Sequence, residues 1–210
     1  MSLVSNLFLL FVAASILIYY IVPRKSQWIV FIFSYLYYIA GGPRYVVFIL
    51  FSTLVTWLMA LLIEKAEGKE NHKGARKLLI LGLILNFGML GIVKYTNFAV
   101  ENINALLHLN LRGIQLLLPL GISFYTFQSS GYLLDVYWKR CKAERHPLKY
   151  ALFVSFFPQI LQGPIGRYSR LADQLYAEHR FEGNNIIRGF ERILWGFFKK
   201  MILADWAAVF

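Results

Sequence analysis

Four side chains with chemistry to offer sit in an otherwise apolar stretch, LPLGISFYTFQSSGYLLDVYWKR, from Leu118 to Arg140. Tyr125, Gln128, Tyr132 and Asp135 follow one another at steps of three, four and three. At about 100° per residue these positions share one face of a helix, with Gly121 beside them. Two phenols, an amide and a carboxylate in line can hydrogen-bond a carbonyl or a hydroxyl. A carboxylate in a membrane helix is costly unless it faces protein or water, so the stripe is a functional candidate. The plain alternative pairs Asp135 with Lys139 at i+4 and makes the Tyr and Gln side chains interhelical hydrogen-bond partners. Alignment over three turns predicts a stripe that points into protein or into a polar cavity.

A second unusual stretch is FFPQILQGPIGRY, Phe156–Tyr168. It sets Gln159, Gln162 and Arg167 around Pro158, Gly163, Pro164 and Gly166 inside an apolar region. Proline removes a backbone donor, and irregular backbone at membrane depth is tolerated only where protein buries it or where it lines a cavity. Amides and an arginine placed there can hold an anionic or carbonyl-bearing ligand. The plain alternative is a helix end anchored by Arg167. A third stretch, from Arg188 to Phe210, places Arg188, Arg192, Lys199 and Lys200 before an apolar end. It reads as an interfacial approach to a further membrane helix, with basic side chains that reach up to the polar layer.

Other chemistries find no support. His72, His146 and His179 lie in hydrophilic segments and His108 in an amphipathic one, none in an apolar helix beside a carboxylate. No residue therefore reads as a general base. No serine-hydrolase, zinc-protease or phosphate-loop motif occurs. The single cysteine, Cys141, makes no intramolecular disulfide, and no Cys/His spacing suggests a metal site.

The elements that would position these residues are membrane helices. The chain has 210 residues, 58% hydrophobic, 17% aromatic and 16% charged, well below the charge of a soluble domain. Its net charge of +11 sits in segments between apolar runs, the positive-inside pattern, which argues against nucleic acid. Apolar windows run over 3–22, 26–42, 45–63, 78–93, 113–134, 150–166 and 186–210. Against the roughly 20 residues a span needs, windows one, three and five are long enough, two and four are marginal, and six is broken or re-entrant around Pro158–Pro164. The first window is too long for a cleaved signal core and reads as a retained helix. Basic segments at Arg24-Lys25, Glu64–Lys77 and Lys139–Lys149 fall on one side, taken as cytoplasmic, which leaves the N-terminus outside. Lys94–Arg112 is then an external amphipathic segment. The expected fold is all-α and polytopic, a multi-helix bundle with no repeats and no second domain.

With these stretches in hand, the chain resembles the membrane-bound O-acyltransferase family. LPLGISFYTFQSSGYLLDVYWK, FFPQILQGPIGRY and GFFKKMILAD look like three of its signature stretches, in the same order and at similar spacing. YYIAGGPRYVVFILFS and LNFGMLGIVKYTNF resemble the branch that holds alginate O-acetyltransferases and the D-alanyl transfer protein of teichoic acid biosynthesis, the former being more similar. The resemblance implies a membrane bundle with a funnel from each face. It implies an acyl thioester as co-substrate, acetyl-CoA or an acyl-carrier protein, reaching a cytoplasmic funnel, with no bound cofactor. The acceptor would be a hydroxyl on an extracytoplasmic polysaccharide or on an acetyl-relay protein, and membrane lipid is the remaining partner. The implied location is the bacterial inner (cytoplasmic) membrane.

Carried over residue by residue, Tyr125, Gln128, Tyr132 and Asp135 match the helix near the central passage. Gln159, Gly163, Pro164 and Arg167 match the segment around the cytoplasmic funnel. Both groups are expected to shape the donor passage and not to make bonds. The family's histidine base falls beyond Phe210, so residues 1–210 read as the N-terminal portion of one such domain, inactive alone. Two further readings are a non-catalytic membrane scaffold and a transporter, which would need paired broken helices in two related halves.

Overall fold

The computed structural model describes residues 6–22, 26–107, 109, 118–160, 164–177, 179 and 181–207. The chain forms two compact units, residues 1–177 and 178–210. Among the described residues there is no strand. The first unit holds α1 (Asn6–Ile21), α2 (Ser26–Ala40), α3 (Val46–Gly68), α4 (His72–Leu107), α5 (Ile122–Tyr137), α6 (Pro147–Ser155) and α7 (Tyr168–Tyr176). The second holds α8 (Gly183–Phe198), followed by a π-helical turn over Lys199–Ala204 and a short helical end at Asp205–Ala207.

The long helices are built inside out relative to a soluble protein. In α3 the buried face carries Ser52, Thr53 and Thr56 beside Ile49, Ala60 and Ile63, while Val47, Leu50, Leu54, Leu58 and Leu62 face outward. Small hydroxyl residues inside and leucines outside suit a lipid solvent, which rewards close packing and interhelical hydrogen bonds over hydrophobic burial. The pairing of α3 with α4 shows how. Ser52 Oγ donates to Asn86 Oδ1 at 2.6 Å, and Asn86 Nδ2 donates to Thr56 Oγ1 at 3.0 Å and to the Gly82 carbonyl at 2.9 Å. Gly82 lets the next helix in: a Cβ there would stand 2.9 Å from Leu133 Cδ1 of α5.

The helix lengths differ from the window count. The segment Pro43–Gly68 and helix α4 are long and apolar enough to cross a membrane. The described parts of α1 and α5 are 16 residues each, about 24 Å at 1.5 Å per residue. The fifth window begins at residue 113, but α5 starts only after Gly121, whose φ of +67° ends any continuous helix there. Residues 94–107, read from sequence as a separate external segment, instead continue α4 without a break. No proline interrupts that run, and Gly88 and Gly91 sit in open helical backbone. The 36 residues of α4 reach about 54 Å, so its ends project beyond a hydrocarbon core of roughly 30 Å.

The broken segment expected around Pro158 is present. Helix α6 stops at Ser155, a turn follows over 157–159, and residues 165–167 return without regular structure to α7. Pro158 has no N–H for the Val154 carbonyl, and the residue before a proline avoids helical angles. The Phe157 N–H leaves the helix as well and donates to Ser34 Oγ of α2 at 3.2 Å. Ile160, at the end of this turn, lies against the start of α5, where an added Gly121 Cβ would be 2.3 Å from the Ile160 carbonyl oxygen. Both limbs end together: Tyr176 of α7 donates its hydroxyl to the Lys149 carbonyl near the start of α6.

In α8, Ile186, Ile187, Phe190, Leu194 and Phe197 fall on one arc and Asn185, Arg188 and Arg192 on the other at helical spacing. Trp195 stacks on Phe198 with ring centroids 5.2 Å apart, and Lys199 stands 5.3 Å over the Trp195 ring.

Candidate functional site

The returning limb closes a cleft of about 440 Å³ between α4, α5 and residues 165–167. Its polar lining is Gln128, Ser130, Tyr132, Asp135, Arg140 and Arg167, and Phe87, Phe127 and Trp138 form an aromatic wall. Three of the four stripe residues and Arg167 thus come together from segments some thirty residues apart in sequence.

Each stripe residue has a defined task. Tyr125 is fully buried, does not line the cleft, and its hydroxyl faces that of Tyr38 in α2. Gln128, also buried, donates from Nε2 to the Phe153 carbonyl at 3.1 Å. That carbonyl is free because the Phe157 N–H went to Ser34, so the amide repairs the helix that Pro158 breaks. The Tyr132 hydroxyl accepts from the Glu144 N–H at 2.8 Å, and its ring lies 4.7 Å from Tyr150 and 4.8 Å from Tyr168.

Asp135 is buried at 7% exposure, and its partner is Arg140 Nη1 at 3.5 Å rather than Lys139. The reason is local backbone. Helix α5 ends at Tyr137, and Lys139 adopts φ +57°, which removes it from the i+4 position an extended helix would give. Lys139 instead bonds Glu67 of α3 at 3.1 Å. The stripe therefore faces mainly protein, and only its lower half reaches a cleft.

On the hairpin, Gln159 Nε2 donates to the Pro164 carbonyl at 2.8 Å. Its amide donor thus serves the protein's own returning limb, with the Gln159 side chain packed against Gly166. Pro164 is exposed, and Gly163 and Gln162 lie outside the described residues. Arg167 caps the start of α7 with extended backbone; its side chain is exposed, lines the cleft and has no ion pair among the described residues. Two guanidinium groups against one carboxylate leave the cleft positive. Among the described residues Ser130 Oγ, buried at the cleft wall, has no hydrogen-bond partner, and an unmet buried hydroxyl costs about 1–3 kcal/mol.

The cleft is held by a latch that sequence reading missed. Glu144 is the lone acid in the basic run Lys139–Lys149, a signal that was legible. Its Oε2 accepts from the Tyr168 hydroxyl at 2.6 Å, its Oε1 from the His146 N–H at 2.8 Å, and its carbonyl from Trp57 Nε1 at 2.9 Å. Burial raises its pKa, but these hydrogen bonds and the charges of Lys149 and His146 outweigh that and hold the carboxyl below the usual range. Nearby, burial and then the charges of Asp135 and Glu64 push the Cys141 thiol up to about 11. Glu64 fastens the same loop through the Ala143 N–H, at 3.1 Å, and Arg145. Among the described residues no cluster of His, Cys, Asp and Glu could hold a metal.

No family model matches the chain, and no solved structure matches it. Curated proteins do. The chain is 34% identical over 213 residues to the protein named "Probable alginate O-acetylase AlgI" of Pseudomonas syringae pv. tomato, covering 98% of this chain and 40% of that one. It is 33% identical over 210 residues to the protein of the same name from Pseudomonas aeruginosa, covering 96% and 39%. To the "Peptidoglycan O-acetyltransferase" of Helicobacter pylori it is 32% identical over 203 residues, covering 84% and 38%. The chain spans about two fifths of the length of these curated relatives.

Proposed function

We propose that this chain belongs to the membrane-bound O-acyltransferase family and is part of an enzyme that acylates hydroxyls of a cell-surface polysaccharide. The group is acetyl, since the relatives are named O-acetylase and O-acetyltransferase. The donor is a thioester, on coenzyme A or on an acyl-carrier protein, presented from the cytoplasmic side of a multi-pass protein of the bacterial inner membrane. The acceptor is a glycan hydroxyl, reached directly or through an acetyl-relay protein. The observation that carries this reading is identity of about one third, over nearly the whole chain, to proteins with those names.

In the reaction the acceptor oxygen bonds to the thioester carbonyl carbon, its proton passes to a base, the carbon–sulfur bond breaks, and the thiol leaves with a proton. No side chain of the cleft is assigned as that base. The cleft residues bind and orient. Both candidate carriers are phosphate esters, and Arg167 and Arg140 supply the cations that a phosphate selects. Asp135 positions Arg140 while it leaves Arg167 open. Gln128 and Gln159 keep the broken backbone satisfied so that the returning limb holds its place.

The test uses membranes that hold the complete protein, with a radiolabelled acetyl thioester added on the cytoplasmic side. Label appearing on glycan or relay-protein hydroxyls supports the reading. Label remaining as thioester or free acetate, with uptake of a solute in its place, overturns it in favour of a transporter.

A further inference from the structure

A second, separate groove of about 290 Å³ lies between the N-terminal turns of α2 and α6. Its lining is apolar, made by Trp28, Phe31, Leu148 and Leu152, with His146 and Lys149 at its rim. Leu152 is buried, whereas Trp28 and Leu148 are 42% and 49% exposed. A tryptophan beside a basic residue at the first turns of two helices marks the level where lipid tails meet headgroups. The groove shares no lining residue with the cleft above.

The charge around it is unbalanced. Of the five cations in Lys139–Lys149, three are paired: Lys139 with Glu67, Arg140 with Asp135, and Arg145 with Glu64. Glu144, the only acid in that run, is already held by Tyr168 and His146. Among the described residues that leaves Lys142 and Lys149 without an ion pair, although the charge of Lys149 also acts on the Glu144 carboxyl. Lys149 stands 5.1 Å over the Tyr176 ring, a contact that fixes the ammonium while leaving its charge to an anion.

We propose that this groove is a binding site for an anionic glycerophospholipid, with one acyl chain against Phe31 and Leu152 and the phosphate at Lys149. An apolar slot of this size suits a hydrocarbon segment and not a polar solute. The unpaired ammonium at its mouth selects an anionic headgroup over a zwitterionic one. The site stands on the chain's membrane setting and is independent of the acyl-transfer reading.

The experiment places the complete protein in nanodiscs and compares two photoactivatable probes, phosphatidylglycerol and phosphatidylcholine, each with a diazirine at the end of one acyl chain. Labelled peptides are read by mass spectrometry. Label is expected on residues 28–31 and 148–152, about fivefold more from phosphatidylglycerol, the preference that one basic side chain near a membrane surface gives. Leu148→Trp, which fills the slot from its exposed edge, should remove the label. Lys149→Gln should keep the label and abolish the difference between the probes. Equal labelling of the wild-type groove by both lipids, labelling that survives Leu148→Trp, or labelling confined to other helices would each overturn the proposal.

Discussion

Gly121→Ala is the substitution on which the hairpin's seat depends. Gly121 has φ +67° and caps the start of α5. An L-residue in that conformation costs about 1–2 kcal/mol. The added Cβ would also stand 2.3 Å from the Ile160 carbonyl oxygen, 3.0 Å from Ile160 Cγ1 and 3.3 Å from the Ile160 carbonyl carbon. Two of those atoms are backbone, so no side-chain rotation relieves the clash, and the Ile160 backbone must move by nearly an ångström. Ile160 is 1% exposed, so displacing it opens packed core at about 1–3 kcal/mol, the usual cost of overpacking. The sum is about 2–5 kcal/mol. The assay is reversible unfolding of the protein in mild detergent titrated with denaturing detergent. Gly88→Ala is the control: its Cβ would meet nothing within 4 Å, and alanine in a helix interior gains about 0.5–1 kcal/mol. A Gly121→Ala protein within about 0.5 kcal/mol of wild type would refute the close approach of Ile160 and helix.

Three further outcomes follow from the packing and the loop. Asn86→Ala removes the two hydrogen bonds that join α3 to α4 and one to the Gly82 carbonyl of its own helix and should cost about 1–3 kcal/mol in the same titration. With its thiol at about 11, Cys141 is roughly one part in a thousand thiolate at pH 8, against about one in four for a free cysteine. Its alkylation should therefore be on the order of two hundredfold slower than that of a model thiol, and should speed up as pH rises toward 11. Because the Glu144 carboxyl is held below its ordinary range in the folded state, its stabilisation is fully present above about pH 4.5 and is lost as pH falls through the folded value. Tyr168→Phe, which removes the 2.6 Å bond, should shrink that acid loss in a series of unfolding midpoints taken from neutral to acid pH.

The helical class, the membrane setting and the break at Pro158 were legible because each is written locally, in apolar runs, sparse charge and a missing backbone donor. The shared face of Gln128, Tyr132 and Asp135 was legible from helical spacing. What that face does was not. Gln128 serves a carbonyl of α6 that is free only because Ser34, on α2, takes the Phe157 N–H, a three-way arrangement that no local pattern encodes. The pairing of Asp135 went to Arg140 because Lys139 turns left-handed, a conformation that a helix-spacing rule does not consider. The length of α4 was misread since Lys94 was taken as a membrane boundary, whereas a helix continues through a lysine that projects past the bilayer. Glu144 stands out as the lone acid of its run, but its partners Tyr168 and Trp57 come from distant elements.

The most direct test of the cleft's role in acyl transfer is the rate of labelled acetyl transfer by the complete protein carrying Arg167→Ala, measured beside Arg170→Ala at equal membrane abundance. Arg167 is exposed at the cleft without an ion pair among the described residues, so its loss should leave the fold intact. Transfer is expected to fall more than tenfold for Arg167→Ala, the effect of losing a charge-assisted contact to the donor worth about 1.4 kcal/mol or more, while Arg170→Ala stays near wild type. Near-normal transfer by Arg167→Ala would contradict the assignment of this cleft to the acyl donor.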